Sequence, residues 1–460
     1  MRSGQVFTSL ALVWAGSVRH AQCAYCSGTP DPNAPRNANP ITDAVPAFIR
    51  EVTNGKLYSV TQTGPNGNPG QTFAVTHVWG TPYEKGFAQG QLLQSEIQAF
   101  YNQTWAYLEE EISSSLPGLF FPDWFLEQLA GKTMAEALDW TAQATMPFTD
   151  SNYYDEMRGL SDGSGTSYDL LVRVHALPEA TKGHCSMFGA WDDALDPSSK
   201  TELLQLRALD WDVDGPFKDY SAITVSHASK DGSGDPNSWA NVGFMGFLGT
   251  ITGVSDKQMA ISEIGVTFPD DTFGKESRHG VPFSVLLRDI LSQDPTIDAA
   301  LQRITDANRT CDLILGVGDG KAVGGSNFRS IQYSASVANF ITDTNLQPVN
   351  DTWHAPIGDV VYHGMDWLCP GYSEVLMAQL QKFHGTLTAA NAISDVIAIT
   401  STGNLHIAVS DLTANEMYVS FAANSTNTDG DDFRYAYQRS FTKFDMGALF
   451  DEAAPVARPA

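Results

Sequence analysis

The spacing of apolar residues changes at residue 185, and that change limits the folds open to this chain of 460 residues. Before it, apolar side chains recur at helical spacing. Phe87, Leu92, Leu93, Ile97, Tyr101 and Trp105 follow Thr81-Pro82, an N-cap with proline at the first helical position. A second helix is expected over 123–145 and a third near 152–160, stopped by Asp162-Gly163-Ser164-Gly165, with a short helix over 167–174. After residue 185 the runs are aromatic and aliphatic, separated by polar turns, and read as strands at 185–191, 201–209, 220–227, 239–245 and 258–264. Helices are expected at 282–293 and 296–307, strands at 312–317 and 359–363, helices at 371–384 and 387–398, and strands at 404–410 and 415–421. Separate runs of helices and strands indicate an α+β layered body. Apolar content of 42% over this length supports a large buried interior. There is no internal repeat.

The strand expected at 185–191 begins with a nucleophile. Cys185-Ser186-Met187-Phe188-Gly189-Ala190-Trp191 is followed about two strands later by Arg207-Ala208-Leu209-Asp210-Trp211-Asp212. If the bond between His184 and Cys185 is cut, one residue carries both a thiol and a free α-amino group. An α-amino group has a pKa of about 7.7–8.0, so it can take the thiol proton and later return it to a leaving amine. No separate histidine is then required. Arg207 beside the sulfur would lower the thiol pKa, and Asp210 would hold the new amine in register with the thiol. Taken singly, Cys185 reads as a buried strand thiol, and Arg207 with Asp210 as a surface cross-strand ion pair. The three together, in this order, favour the nucleophile.

Lys182-Gly183-His184-Cys185-Ser186-Met187-Phe188-Gly189-Ala190-Trp191, with Arg207 and Asp210, resembles the N-terminal-nucleophile (Ntn) cysteine hydrolases of the penicillin-acyltransferase and acid-ceramidase-like group. Gly80-Thr81-Pro82-Tyr83-Glu84-Lys85-Gly86-Phe87-Ala88-Gln89-Gly90 and Val360-Val361-Tyr362-His363-Gly364-Met365-Asp366-Trp367 fit as well, so the resemblance spans roughly residues 75–425. It implies an αββα four-layer Ntn-hydrolase sandwich with a mainly helical N-terminal segment, in which residues 23–184 precede a catalytic segment 185–460. It also implies autocatalytic cleavage between His184 and Cys185, with the two fragments staying together as a heterodimer. The activity implied is hydrolysis of linear N-acyl amides, lipid-like or otherwise, through a thioester. Acyl transfer, lipid ester hydrolysis of the phospholipase B-like kind, and a catalytically inactive binding protein that kept the fold are the alternatives. Relatives place an asparagine at the oxyanion hole, but the matching segment here has none. Asp366, His363 or N–H groups near Gly364 are the substitutes, with Asn327, Asn339 and Asn345 as further donors. Glu263 lies where relatives put a polar residue on a neighbouring strand. Trp211 and the loop 212–217 are expected at the substrate mouth.

With 27 basic against 53 acidic residues, the net charge of −26 repels nucleic-acid phosphate and anionic membranes. Residues 1–22 carry a signal-like pattern, with Arg2 ahead of the apolar stretch Val6-Phe7-Thr8-Ser9-Leu10-Ala11-Leu12-Val13-Trp14-Ala15. No other stretch reaches the roughly 18 apolar residues of a membrane span. Secreted or lysosomal destinations suit the signal, the acidic surface and the glycosylation sequons at Asn102, Asn308, Asn350 and Asn424. Residues 23–45, rich in Pro, Asn, Gly and Ser, read as a mobile leader. Cys311 and Cys369 are either a disulfide pair or two buried thiols, and Cys23 and Cys26 lie beside the end of the signal. No cofactor or metal is expected, since no H-E-x-x-H or paired ligand spacing occurs. Gly316-Val317-Gly318-Asp319-Gly320 reads as a hairpin, and Gly163-Ser164-Gly165 falls short of a serine-hydrolase elbow.

Overall fold

Strand-forming runs on both sides of residue 185 assemble into two sheets in a computed structural model that describes residues 30–64, 69–114, 125, 128–129, 132–181, 184–229, 231–265, 274–322, 327–364, 370–426 and 434–456. The seven-stranded sheet has the order β1-β17-β16-β15-β6-β5-β14. Its members are β1 (Ile41–Asp43), β17 (Phe441–Asp445), β16 (Glu416–Phe421), β15 (His406–Asp411), β6 (Leu203–Asp210), β5 (His184–Trp191) and β14 (Val360–His363). The ten-stranded sheet has the order β13-β12-β11-β10-β9-β8-β7-β4-β3-β2. It comprises β13 (Ala338–Ile341), β12 (Phe328–Ser334), β11 (Asp312–Asp319), β10 (Met259–Gly265), β9 (Gly253–Ser255), β8 (Trp239–Phe244), β7 (Ser221–Ser226), β4 (Pro69–Val78), β3 (Gly55–Thr63) and β2 (Ala47–Val52).

The sheets face each other, with β5 and β6 packed on β10 and β11. Gly189 makes the close approach possible, because a Cβ there would lie 2.2 Å from the Phe328 ring of the facing sheet. Every residue of β6, β8 and β10 is buried, as expected for strands covered on both faces. Helices α1 (Pro82–Leu92), α6 (Phe283–Gln293) and α7 (Ile297–Asp306) cover the outer face of the ten-stranded sheet. On the outer face of the other lie α8 (Pro370–Phe383) and the helical stretch 389–400, through Leu376, Leu380, Ile393 and Val396. The result is the αββα order.

The N-terminal segment is mainly helical beyond residue 81, with α2 (Gln94–Ser114), α3 (Met134–Thr145), α4 (Ser151–Ser164) and α5 (Tyr168–Ala180) following α1. Thr81 and Glu84 form the capping box that starts α1. Two differences from expectation stand out. Four strands, β1–β4, precede the helices and join both sheets. Residues 30–45 are also not a free leader: Asn37 Nδ2 donates to the carbonyls of Tyr437 and Arg439, and β1 pairs in parallel with β17. Composition shows that such a segment lacks a core of its own, but not that its amides find partners 400 residues away. Among the described residues no helix is long and apolar enough to cross a membrane.

Candidate active site

The register of β5 on β6 sets the site. His184 stands opposite Asp210, Cys185 opposite Leu209 and Met187 opposite Arg207. Residues directly opposite in an antiparallel pair share a face, as do alternate residues along one strand. Cys185, Arg207 and Leu209 therefore face the ten-stranded sheet, while Ser186 and Asp210 face the helices outside.

Cys185 is 1% exposed and Arg207 2%, so neither is part of a surface pair. Arg207 Nη2 donates to Cys185 Sγ at 3.1 Å and to Glu263 Oε2 at 3.2 Å. Its Nε donates to the Glu263 carbonyl at 3.3 Å, and its Nη1 lies 3.2 Å from His406 Nε2. Glu263 thus reaches the site from β10, across the gap between sheets and not from a neighbouring strand. Arg207 pulls the thiol pKa down, as expected, but burial outweighs it and pushes the Cys185 thiol up to about 12. Burial likewise raises the carboxyl of Glu263, against the pull of Arg207.

Asp210 is held from the other side of the sheet. Thr402 Oγ1 donates to its Oδ2 at 2.5 Å, and the N–H groups of Gly403 and Asn404 donate to Oδ1 at 2.8 and 2.9 Å. Since the Thr402 hydroxyl hydrogen is spent on Asp210, its oxygen, 2.8 Å from Ser186 Oγ, accepts from Ser186. Burial still lifts the Asp210 carboxyl to about 6.

A pocket of about 720 Å³, counting the open space at its mouth, runs from Cys185 and Glu263. Phe100, Val174, Leu177, Phe217, Phe244 and Phe247 are among its walls, and Trp211 and Phe217 border it as expected. The indole Nε1 of Trp211 has no hydrogen-bond partner among the described residues. A cavity so apolar, with one thiol and one carboxyl at its end, suits an uncharged acyl group beside the sulfur.

Other expected residues are not gathered here. Asp366 and Cys369 lie outside the described residues, as do Cys23, Cys26 and residues 1–22. His363 pairs with Met187 across the strands, but its Nε2 lies 2.8 Å from Ser330 Oγ, and it does not line the pocket. Gly364 sits beside Ser373 and Ser186, outside the sheet. Asn327 donates to the Glu202 carbonyl, Asn339 to Gln332 and Asn345 to the Phe340 carbonyl, so none of these amides reaches the thiol. Cys311 is buried, and its Sγ donates to Glu179 Oε2 at 3.1 Å. Asn102 and Asn308 are exposed, and Asn350 and Asn424 are half-buried. Thr402, Gly403, Asn404, His406 and Thr252 were not expected at the site. The only signal for the first three was a short polar turn before a strand.

Over 459 residues the chain is 31% identical to protein dcd1A of Dictyostelium discoideum, covering 97% of this chain and 98% of that protein. It is 31% identical over 437 residues to protein dcd1B of the same organism, covering 91% and 82%. No protein-family model matches. Among solved structures, an N-acylethanolamine-hydrolyzing acid amidase ortholog from Caenorhabditis elegans is 13% identical with a TM-score of 0.37, covering 56% of this chain and 98% of that one. Penicillin V acylase from Agrobacterium tumefaciens is 11% identical with a TM-score of 0.34, covering 52% and 83%.

Proposed function

The chain belongs to the family of the Dictyostelium discoideum proteins dcd1A and dcd1B, and from that premise and the geometry of its pocket we propose that it is a cysteine amide hydrolase, activated by cleavage between His184 and Cys185. The observation that carries this reading is the Arg207 guanidinium 3.1 Å from the Cys185 sulfur at the end of an apolar pocket. A thiol pushed up to about 12 does not ionise near neutrality by itself, so a base must take its proton. The freed amine of Cys185 is that base.

In the first reaction the Cys185 sulfur attacks the carbonyl carbon of His184, and the peptide C–N bond breaks. The thiol proton passes to the departing nitrogen, which becomes the new α-amine. Water then splits the thioester, restoring the thiol and leaving a carboxylate on His184. In turnover the α-amine takes the thiol proton and the sulfur attacks the acyl carbonyl. The ammonium returns that proton to the leaving amine, and water resolves the acyl thioester. Arg207 steadies the sulfur anion, and Asp210, across from the scissile bond, holds the ammonium. The substrate is a linear amide with an apolar acyl group, which the lining of the pocket supports. A secreted or lysosomal location goes with the signal-like residues 1–22.

The test is N-terminal sequencing of the purified protein together with a panel of N-acyl amides. A new N-terminus at Cys185 and release of free acid are expected. Cys185→Ala should end both. A protein that stays uncut and yet hydrolyses amides at full rate would remove the amine from the mechanism.

A further inference from the structure

The geometry points to His406 as a positioning residue that holds the Arg207 guanidinium on the Cys185 sulfur and keeps it from turning wholly onto Glu263. The inference rests on Cys185 as the nucleophile. Three adjacent strands build the arrangement: Cys185 on β5 stands opposite Leu209 on β6, and Leu209 stands opposite His406 on β15. All three share the face toward the ten-stranded sheet. Arg207, two residues along the middle strand, extends its fork between the outer two, with Nη2 on Cys185 and Nη1 on His406.

Arginine only donates hydrogen bonds, so the Nε2 that faces it must carry a lone pair and the proton must sit on Nδ1. Burial holds the ring neutral, and Arg207 pushes the same way. The tautomer leaves Nδ1 buried without a partner among the described residues. Stability alone disfavours such an orphan, but a ring that must present Nε2 to an arginine accepts it. Thr252 Oγ1, 3.1 Å from the same Nε2, and the rings of Phe244 and Phe421, about 6 Å away, keep the imidazole in place.

The need for an anchor follows from the competition at Nη2. That nitrogen is shared between a sulfur at 3.1 Å and a carboxylate oxygen at 3.2 Å. A guanidinium prefers to bind a carboxylate with both arms. Nη1 fixed on His406 cannot swing round to Glu263, so Nη2 keeps its aim at the sulfur. The charged groups that act on the thiol are Arg207 from β6 and Glu263 from β10 on its own face, and Asp210 from the opposite face of β6.

The experiment reads the thiol directly, as the rate of alkylation of Cys185 by iodoacetamide against pH, located by peptide mass mapping. His406→Phe keeps the ring shape among Phe244 and Phe421 but removes the acceptor, and His406→Leu replaces it if that variant is not recovered folded. The acceptor-less variant should react about tenfold more slowly at pH 7, with its rate profile displaced to higher pH. His406→Gln, which restores an acceptor, should stay within about threefold of wild type. In a Glu263→Gln background the His406→Phe loss should shrink, because the competing carboxylate is gone. An unchanged rate in His406→Phe, an equal loss in Phe and Gln variants, or a loss indifferent to Glu263→Gln would each overturn the assignment. No amide substrate is used, so a wild type without amidase activity would count against the proposed function and not against this coupling.

Discussion

Asp210 is a carboxyl that the fold holds at about 6, well above its ordinary 3.8, because burial outweighs the hydrogen bonds from Thr402, Asn404 and Gly403. A folded pKa above the unfolded one means that the fold favours the neutral acid. Its contribution to stability is therefore complete below about pH 3.8 and is lost as the pH rises through about 6. A shift of this size corresponds to up to about 3 kcal/mol at neutral pH. In an uncut Cys185→Ala parent, Asp210→Asn should raise the melting temperature at pH 7, with the gain fading toward pH 4. The Thr402 hydroxyl can turn to accept from the new amide. Thermal denaturation across that range checks it, and a variant that melts below its parent at pH 7 would mean the carboxylate stabilises the fold after all. If the protein is cut as proposed, the same change would remove the charge assigned to hold the ammonium, and turnover should fall by about 10²-fold or more. At this scale Cys185, Arg207 and Asp210 were singled out in the sequence through the family resemblance, and the register of β5 on β6 puts Cys185 and Arg207 on one face with Asp210 on the other. His406 and Thr402 were not, because a buried histidine or threonine becomes a partner only through strands that pair 200 residues apart.

Helices α1 and α4 show what sequence periodicity leaves out at the scale of elements. Gly86 and Gly90 on α1 meet Gly159 and Gly163 on α4 so closely that a Cβ on Gly86 would lie 1.9 Å from the Glu156 carbonyl oxygen, and one on Gly159 2.0 Å from that of Tyr83. The obstacles are backbone atoms, which no side-chain rotation can clear. Gly159→Ala should therefore destabilise by about 3 kcal/mol or more, at the upper end of overpacking, despite alanine's better helix propensity. Asn152→Ala, at an exposed position of the same helix, should change stability by less than about 1 kcal/mol. Urea denaturation of both variants decides the matter, and equal midpoints would mean that the helices can move apart freely. Most helices and strands after residue 185 fall where the apolar spacing put them, because their packed faces are long. The break at Leu93, which divides one expected helix into α1 and α2, escaped because the apolar positions run on through it. Strands β2 and β3 escaped for a different reason. Every residue of β2 is exposed or half-buried and β3 alternates irregularly, so the hydrogen bonds of β2 to β3 and of β3 to β4 define them better than their side chains do.

Cleavage before Cys185 would leave fragments of up to 184 residues and of 276 residues, and the whole molecule determines whether they part. Both sheets take strands from each side of that bond. β1 pairs with β17 in one, and β4 pairs in parallel with β7 in the other, Ala74 opposite Ala222. The apolar core crosses it too, joining Phe100, Leu160 and Val174 to Phe244, Leu286 and Ile290. Arg288 on α6 adds a buried ion pair with Glu156 on α4, and its guanidinium lies between the rings of Tyr153 and Trp239. Against this stands the repulsion of a molecule with net charge −26. Surface charges are screened beyond about 8 Å at physiological salt. Each large apolar side chain taken out of water contributes about 1.5–3 kcal/mol, so a dozen across the junction exceed what the screened surface can oppose. Cut protein should therefore run as one particle in native gel filtration and as two bands after denaturation. Because the joint is mainly apolar, lowering the salt from about 0.5 M to about 0.02 M, which lengthens the reach of the acidic charges, should leave the single peak intact. Separation of the fragments in native buffer, or only at low salt, would mean that the shared sheets and core contribute far less than their burial implies.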